Sequence, residues 1–276
     1  MKAKITYQIL LSVIVLILSA CSSDEKLVVE DSPNETSGEE NTEASDSGIT
    51  VVKRVLIEDY VATWCGNCIL AIEKSENADK SVFVPVAIHF LGSELENETA
   101  INVASENKVS SQTTVIVDKH TSHSFRNDFS ASDYTRSSKV AIAINPEVNG
   151  TNLNVNLKFK FYKNLSTLNY TVYLLENNIV ATQTNYQFSG SEYQSSPRSI
   201  SNFNHNHVLQ QAVLQQNIPG SESASENVYE TSQTFSIAGK NSDNLEVVVF
   251  VESSDEVLNT QIVSANEQVD FHAEEE

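Results

Sequence analysis

The stretch V-L-I-E-D-Y-V-A-T-W-C-G-N-C, from Val55 to Cys68, narrows what this chain can fold into more than any other. Val55 to Val61 is rich in β-forming residues, and the last four residues place two cysteines either side of Gly66-Asn67. A strand that runs into such a turn predicts a helix behind it. The unpaired N–H groups and dipole of that helix then face Cys65. A thiol in that setting ionises at roughly pH 3.5 to 7.5 instead of about 8.5, which marks Cys65 as a nucleophile near neutral pH and Cys68 as the resolving thiol. An inert local disulfide is the alternative that spacing alone leaves open.

The chain has three cysteines, and the third, Cys21, sits in a different context. Lys2 and Lys4 precede a largely apolar run to Ala20, shorter than the ~20 residues a spanning helix needs, and small residues close it. Residues 1–20 therefore read as an export signal. The ending Leu18-Ser19-Ala20-Cys21 resembles the lipobox of bacterial lipoproteins, which implies lipid attachment at Cys21 and membrane association through that lipid. A plain cleaved signal or a short anchor are the alternatives. An exported chain left with one cysteine pair does not rest on a cystine framework, so Cys65 and Cys68 read more easily as redox chemistry than as a staple.

Residues 21–48 follow as an acidic tether. Between Ser22 and Thr50 there are nine acids against the single base Lys26, a composition that cannot bury enough surface to order itself. Ser22-Ser23-Asp24-Glu25 resembles the acidic export signal of some surface lipoproteins, and Ser22 after Cys21 resembles outer-membrane sorting; an ordinary linker is the plainer reading. The whole chain carries 17 basic and 37 acidic residues, a net charge of −20. That excludes a basic nucleic-acid face and makes an anionic lipid surface repulsive.

Residues 49–137 predict an α/β domain. Ile69 to Glu76 reads as an amphipathic helix, Val82 to Phe90 as a strand buried on both faces, Glu94 to Asn107 as a second helix and Thr113 to Val117 as another strand. Residues 138–272 change period. Leu153, Val155, Leu157, Phe159 and Phe161 alternate with Asn152, Asn154, Asn156, Lys158 and Lys160, and further short strands separated by turn formers predict an all-β sandwich of immunoglobulin-like type. Residues 273–276 form an acidic tail.

At Trp64-Cys65-Gly66-Asn67-Cys68 the first domain resembles the thioredoxin superfamily. That resemblance implies an α/β thioredoxin-like fold, a buried carboxylate at Asp59 as proton acceptor for Cys68, and Trp64 packed against the disulfide. Where the superfamily has a cis-proline opposite the disulfide, Thr113 stands here, so the facing loop is expected to be shaped differently. Together with the lipobox, Leu174-Leu175-Glu176-Asn177, His205-Asn206-His207-Val208-Leu209 and Val248-Val249-Phe250-Val251 resemble the outer membrane protein twenty-eight related lipoproteins, although Gln210 stands where that family usually shows arginine. The resemblance implies a lipid-anchored outer-membrane location, on its periplasmic or cell-surface side.

His205 and His207 lie two apart in an extended segment and could offer two imidazoles to a metal, but hydrogen bonding at a strand end is the simpler reading. His89 is expected to be structural. No metal or other cofactor is expected, and the scattered glycines give no nucleotide motif. Two functions follow: an exported, membrane-tethered thiol–disulfide oxidoreductase acting on a protein or small disulfide, or a surface-displayed binding lipoprotein with no redox turnover.

Overall fold

Strand β1 (Val51–Val52) leads into β2 (Val55–Val61), in which all seven side chains are buried. The computed structural model describes residues 49, 51–254 and 256–271, all within one unit, Thr42–Glu276. The expected signal peptide, Cys21, the acidic tether through residue 48 and the acidic tail lie outside the described residues. After β2 the chain turns through Cys65 into helix α1 (Cys68–Glu76) and returns as β3 (Phe83–His89), parallel to β2 from Val55↔Phe83 to Val61↔His89. Pro85 is tolerated near the start of β3. Its missing N–H falls on the side where Ala87, two residues on, donates to the His207 carbonyl, before pairing on that edge begins.

Helix α2 (Glu98–Glu106) is capped by Asn97, whose side chain accepts from the Ala100 N–H at 2.9 Å. β4 (Thr114–Val117) then pairs antiparallel with β2, and β5 (Thr121–His123) with β4. β6 (Ser137–Ser138) pairs with β1. A long hairpin of β7 (Val140–Asn149) and β8 (Asn152–Phe161) follows, then β9 (Leu168–Glu176), β10 (Ile179–Thr184), β11 (Ser199–His205) and β12 (Val208–Ile218). β13 (Val228–Ser236), β14 (Leu245–Glu252) and β15 (Val257–Ser264) complete the order.

The expected fold class, an α/β thioredoxin-like domain followed by a separate immunoglobulin-like sandwich, is overturned. Fifteen strands and two nine-residue α-helices make the described chain predominantly β. One eight-stranded sheet, ordered β15-β14-β9-β12-β3-β2-β4-β5, takes strands from both sides of residue 137. The link is the parallel pairing of Val208 in β12 with Ala87 in β3. Local periodicity could not announce it, because it joins residues more than a hundred positions apart, and a period-two pattern fixes which face is buried without naming the partner strand.

One face of this sheet is covered by α1 at the β3-β2-β4 end and by a second sheet, β13-β8-β7, at the β15-β14-β9 end. The opposite face packs Leu56, Tyr60, Val86, Tyr173 and Phe250 under Ala100, Val103 and Ala104 of α2. β8 alternates as its sequence predicts, with Leu153, Val155, Leu157, Phe159 and Phe161 inward. The Cys65–Cys68 turn therefore sits where β2 leaves the middle of the large sheet.

Candidate functional site

Cys65 and Cys68 are joined by a disulfide, with Cα atoms 5.4 Å apart. α1 begins at Cys68, with Asn67 before it, so the helix start lies against the sulfurs as the spacing predicts. Cys68 is fully buried, and Cys65 keeps only 8% of its surface exposed. Thr113 faces the pair from the loop before β4, its Oγ1 lying 3.2 Å from Cys65 Sγ and 3.4 Å from Cys68 Sγ. No cis peptide bond occurs among the described residues, and Thr113 instead adopts φ +57°. A β-branched residue in the left-handed region is strained, and such strain gathers where the surrounding structure needs a group aimed at one point. Here that point is the disulfide.

Trp64 is half exposed, its indole N–H donating to the Leu91 carbonyl at 3.2 Å. Asp59 points to the α1 side of β2, into a different cluster. Its neighbours are Ser75 and Glu76 at the end of α1 and the His207 ring, around a cavity of ≈10 Å³, about the room one water needs. Ser75 lies seven residues beyond Cys68, about 10 Å along the helix. Burial pushes the Asp59 carboxyl up to about 7; the Glu76 charge adds to the rise, and the Lys80 and His207 charges offset part of it. Asp59 Oδ1 and Ser75 Oγ are both buried without a protein partner.

The two histidines of the His-Asn-His segment part company. His205 is buried edge-on to His89, with ring centroids 5.1 Å apart. Burial drives His205 down to about 4, and burial together with His205 drives His89 down to about 3. His89 Nδ1 is 2.9 Å from Ser93 Oγ, which also accepts from the Thr63 N–H; His89 Nε2 and both nitrogens of His205 have no partner. His207 adopts φ +53° and lies 2.8 Å from Glu246 and 3.6 Å from Glu76. Burial alone would lower it, but hydrogen bonds and charge from these two acids win and raise it to about 9. Among the described residues no group of three or more His, Cys, Asp or Glu could hold a metal ion.

Several residues that touch the turn carry no sequence signal. Gln183 Nε2 donates to the Cys65 carbonyl at 3.0 Å, the Thr184 N–H to the Thr63 carbonyl at 2.8 Å, and the Tyr186 N–H to the Gly66 carbonyl at 3.3 Å. The Tyr186 ring lies so close over Gly66 that a Cβ there would meet ring carbons at 2.2–2.6 Å, which requires glycine. These groups arrive from about 120 residues away, and no local motif marks them. On the opposite face of β2, Glu58 is buried and accepts from Tyr173 OH at 3.0 Å; burial raises its carboxyl to about 7 despite the nearby Lys119.

Residues 100–269, more than half of the chain, match the family described as outer membrane protein Omp28. The chain belongs to that family. Membership in Omp28 places it in the outer membrane. The Omp28 match begins inside α2, beyond the Cys65–Cys68 turn, so it speaks for location and not for chemistry at the sulfurs. No curated protein matches significantly. Among solved structures, HBP35 of Porphyromonas gingivalis is similar in fold, with a TM-score of 0.59 over 79% of this chain and 76% of that one, at 14% identity. A β-glucosidase from Kluyveromyces marxianus aligns at a TM-score of 0.21 and 12% identity, over 51% of this chain and 15% of its own, too slight a likeness to bear on function.

Proposed function

We propose that this outer-membrane protein is a thiol–disulfide oxidoreductase, tethered by lipid at Cys21. The observation that carries the reading is Thr113 Oγ1 within hydrogen-bonding distance of both sulfurs of a pair placed at the start of α1. In the reduced protein the Cys65 thiolate, held by the Thr113 hydroxyl and the α1 N–H groups, attacks one sulfur of a substrate disulfide. A Cys65–substrate disulfide forms and the other substrate sulfur leaves as a thiolate. Cys68, deprotonated, then attacks Cys65 Sγ, releases the second substrate thiolate and restores the Cys65–Cys68 bond. Two electrons pass from protein to substrate; the oxidised protein runs the same steps backwards.

The deciding experiment uses Cys68→Ser. That variant should accumulate a mixed disulfide through Cys65, visible as a mass increase that reducing agent removes. A variant that captures nothing from disulfide-bearing substrates, beside a wild type that exchanges with none, would sink the reading. A second reading, a surface-displayed binding protein without turnover, draws on the near-burial of Cys65 and on the Tyr186 ring laid against Gly66 beside it. Capture of a partner that survives replacement of both cysteines by serine would favour it.

A further inference from the structure

The hairpin of β10 and β11 forms a sheet of its own, separate from the eight-stranded one. Both its feet are left-handed residues: Asn178, at φ +61°, precedes β10, and His207, at φ +53°, follows β11. Residues at the ends of elements are where a hinge absorbs rotation. The feet are clipped together by asparagines, Asn178 N–H to Asn206 Oδ1 and Asn204 Nδ2 to Asn178 Oδ1, each at 3.1 Å. The connection between the two strands is latched to α1 through Glu73, which accepts from Ser191 Oγ and, at 3.1 Å, from the Glu192 N–H.

What the hairpin covers is the disulfide turn. The segment leaving β10 lies extended along it, donating the Thr184 and Tyr186 N–H groups to the Thr63 and Gly66 carbonyls and laying the Tyr186 ring on Gly66. The closed position is imperfectly compensated. Gln183 Oε1 and both His205 nitrogens on the hairpin, and His89 Nε2 beneath it, are buried without partners and would regain water if it swung out. Phe203, packed with the α1 core, works in the other direction and favours closure.

We propose that the β10–β11 hairpin is a hinged cover over Cys65–Cys68, and that its replacement on the turn is an extended polypeptide. The chemistry of the vacated surface selects that class: two backbone carbonyls three residues apart accept main-chain N–H groups, Gly66 admits a flat side chain, and exposed Trp64 and Leu91 supply an apolar rim. The inference rests on the exchange reading of the cysteine pair and adds its substrate class and its gate.

The test uses the oxidised full chain with wild-type, Gly66→Ala and Glu73→Gln sequences. The first substitution pushes Tyr186 off the turn, and the second weakens the latch without changing side-chain shape. Reduction by excess dithiothreitol, followed by mass-tagging of the Cys65 and Cys68 thiols, should be at least ten-fold faster in both variants. Added synthetic peptide spanning residues 181–188 should slow Glu73→Gln several-fold by occupying the turn. In a second arm the reduced proteins meet an unfolded polypeptide carrying one disulfide, and Glu73→Gln should exchange at least ten-fold faster than wild type. Unchanged dithiothreitol rates in both variants, with exchange intact, overturn the cover alone. Absence of exchange in every form overturns the oxidoreductase reading and the polypeptide occupant with it.

Discussion

At the β15-β14-β9 end of the large sheet, Leu153, Val155, Leu157 and Phe159 of β8 close against Val172, Leu174, Val247 and Val249, an interior made of apolar side chains. At the β3-β2-β4 end the layer under α1 and the β10–β11 hairpin mixes apolar residues with Asp59, Ser75, His89, Gln183 and His205, each with a buried polar atom that lacks a partner. Both ends belong to the same sheet. The difference is that the interior between β8 and the sheet is apolar, whereas the layer under α1 and the hairpin carries groups whose burial works against stability. Each unpartnered polar atom costs about 1–3 kcal/mol, a cost that stable cores avoid and functional sites tolerate.

The sharpest way to break this contrast is to damage the apolar end. Phe159→Ala removes a fully buried ring that packs 5.1 Å from Tyr170, and should lower unfolding free energy by about 3–5 kcal/mol. Urea titration measures it, and an undiminished midpoint would show that this core is not what holds the sheet. The next effect runs through Asp59. Its folded-state pKa is about 7 against an ordinary 3.8, so the folded chain holds that proton up to neutral pH while the unfolded chain gives it up near 4. Stability should therefore fall as pH rises from 4 through 7. Asp59→Asn should remove that fall and leave the variant more stable at pH 8, by up to about 4 kcal/mol. A wild-type and variant difference that stays constant with pH would refute it.

His205 predicts the opposite slope. Held near 4 when folded and close to 6.5 when unfolded, it stays neutral inside while the unfolded chain charges, so stability should drop as pH falls from 6.5 towards 4. His205→Phe should flatten that acid limb by up to about 3 kcal/mol in thermal melts at pH 7 and pH 4.5. The smallest effect is expected at the sulfurs themselves. Thr113→Val keeps the shape but removes the hydroxyl, and should raise the Cys65 thiol pKa by about one unit, read from the pH profile of alkylation in the reduced protein. An unshifted profile would mean that Thr113 only fills space.

The local chemistry is readable in the sequence. The V-L-I-E-D-Y-V strand, the turn and a helix starting at Cys68 all follow from side chains within fourteen residues, and β8 follows from strict alternation. Local pattern does not yield the fold class, because β3 and β12 meet through one parallel pair between residues whose own patterns are satisfied equally well by other partners. The thioredoxin resemblance implies a buried acid at Asp59, but not its neighbours, since Ser75 and His207 converge on it only once α1 and the start of β12 are in place. Gln183 and Tyr186 were invisible for the same reason. A glutamine in β10 and a tyrosine just beyond it carry no mark of the cysteine turn they will cover.

What the amino-acid order settled without help is a part of what neighbours in the chain govern: the strand at Val55–Val61, the alternation of β8, a helix behind the Cys65–Cys68 turn, and that two sulfurs three residues apart can bond. What required the folded molecule is everything governed by distance in space: a single sheet shared by both halves, the Thr113 hydroxyl aimed at both sulfurs, and a hairpin lying over the turn. The physical reason is that hydrogen-bond geometry and rotamer preference act over a few residues. Burial and strand pairing act between surfaces that the chain brings together only on folding.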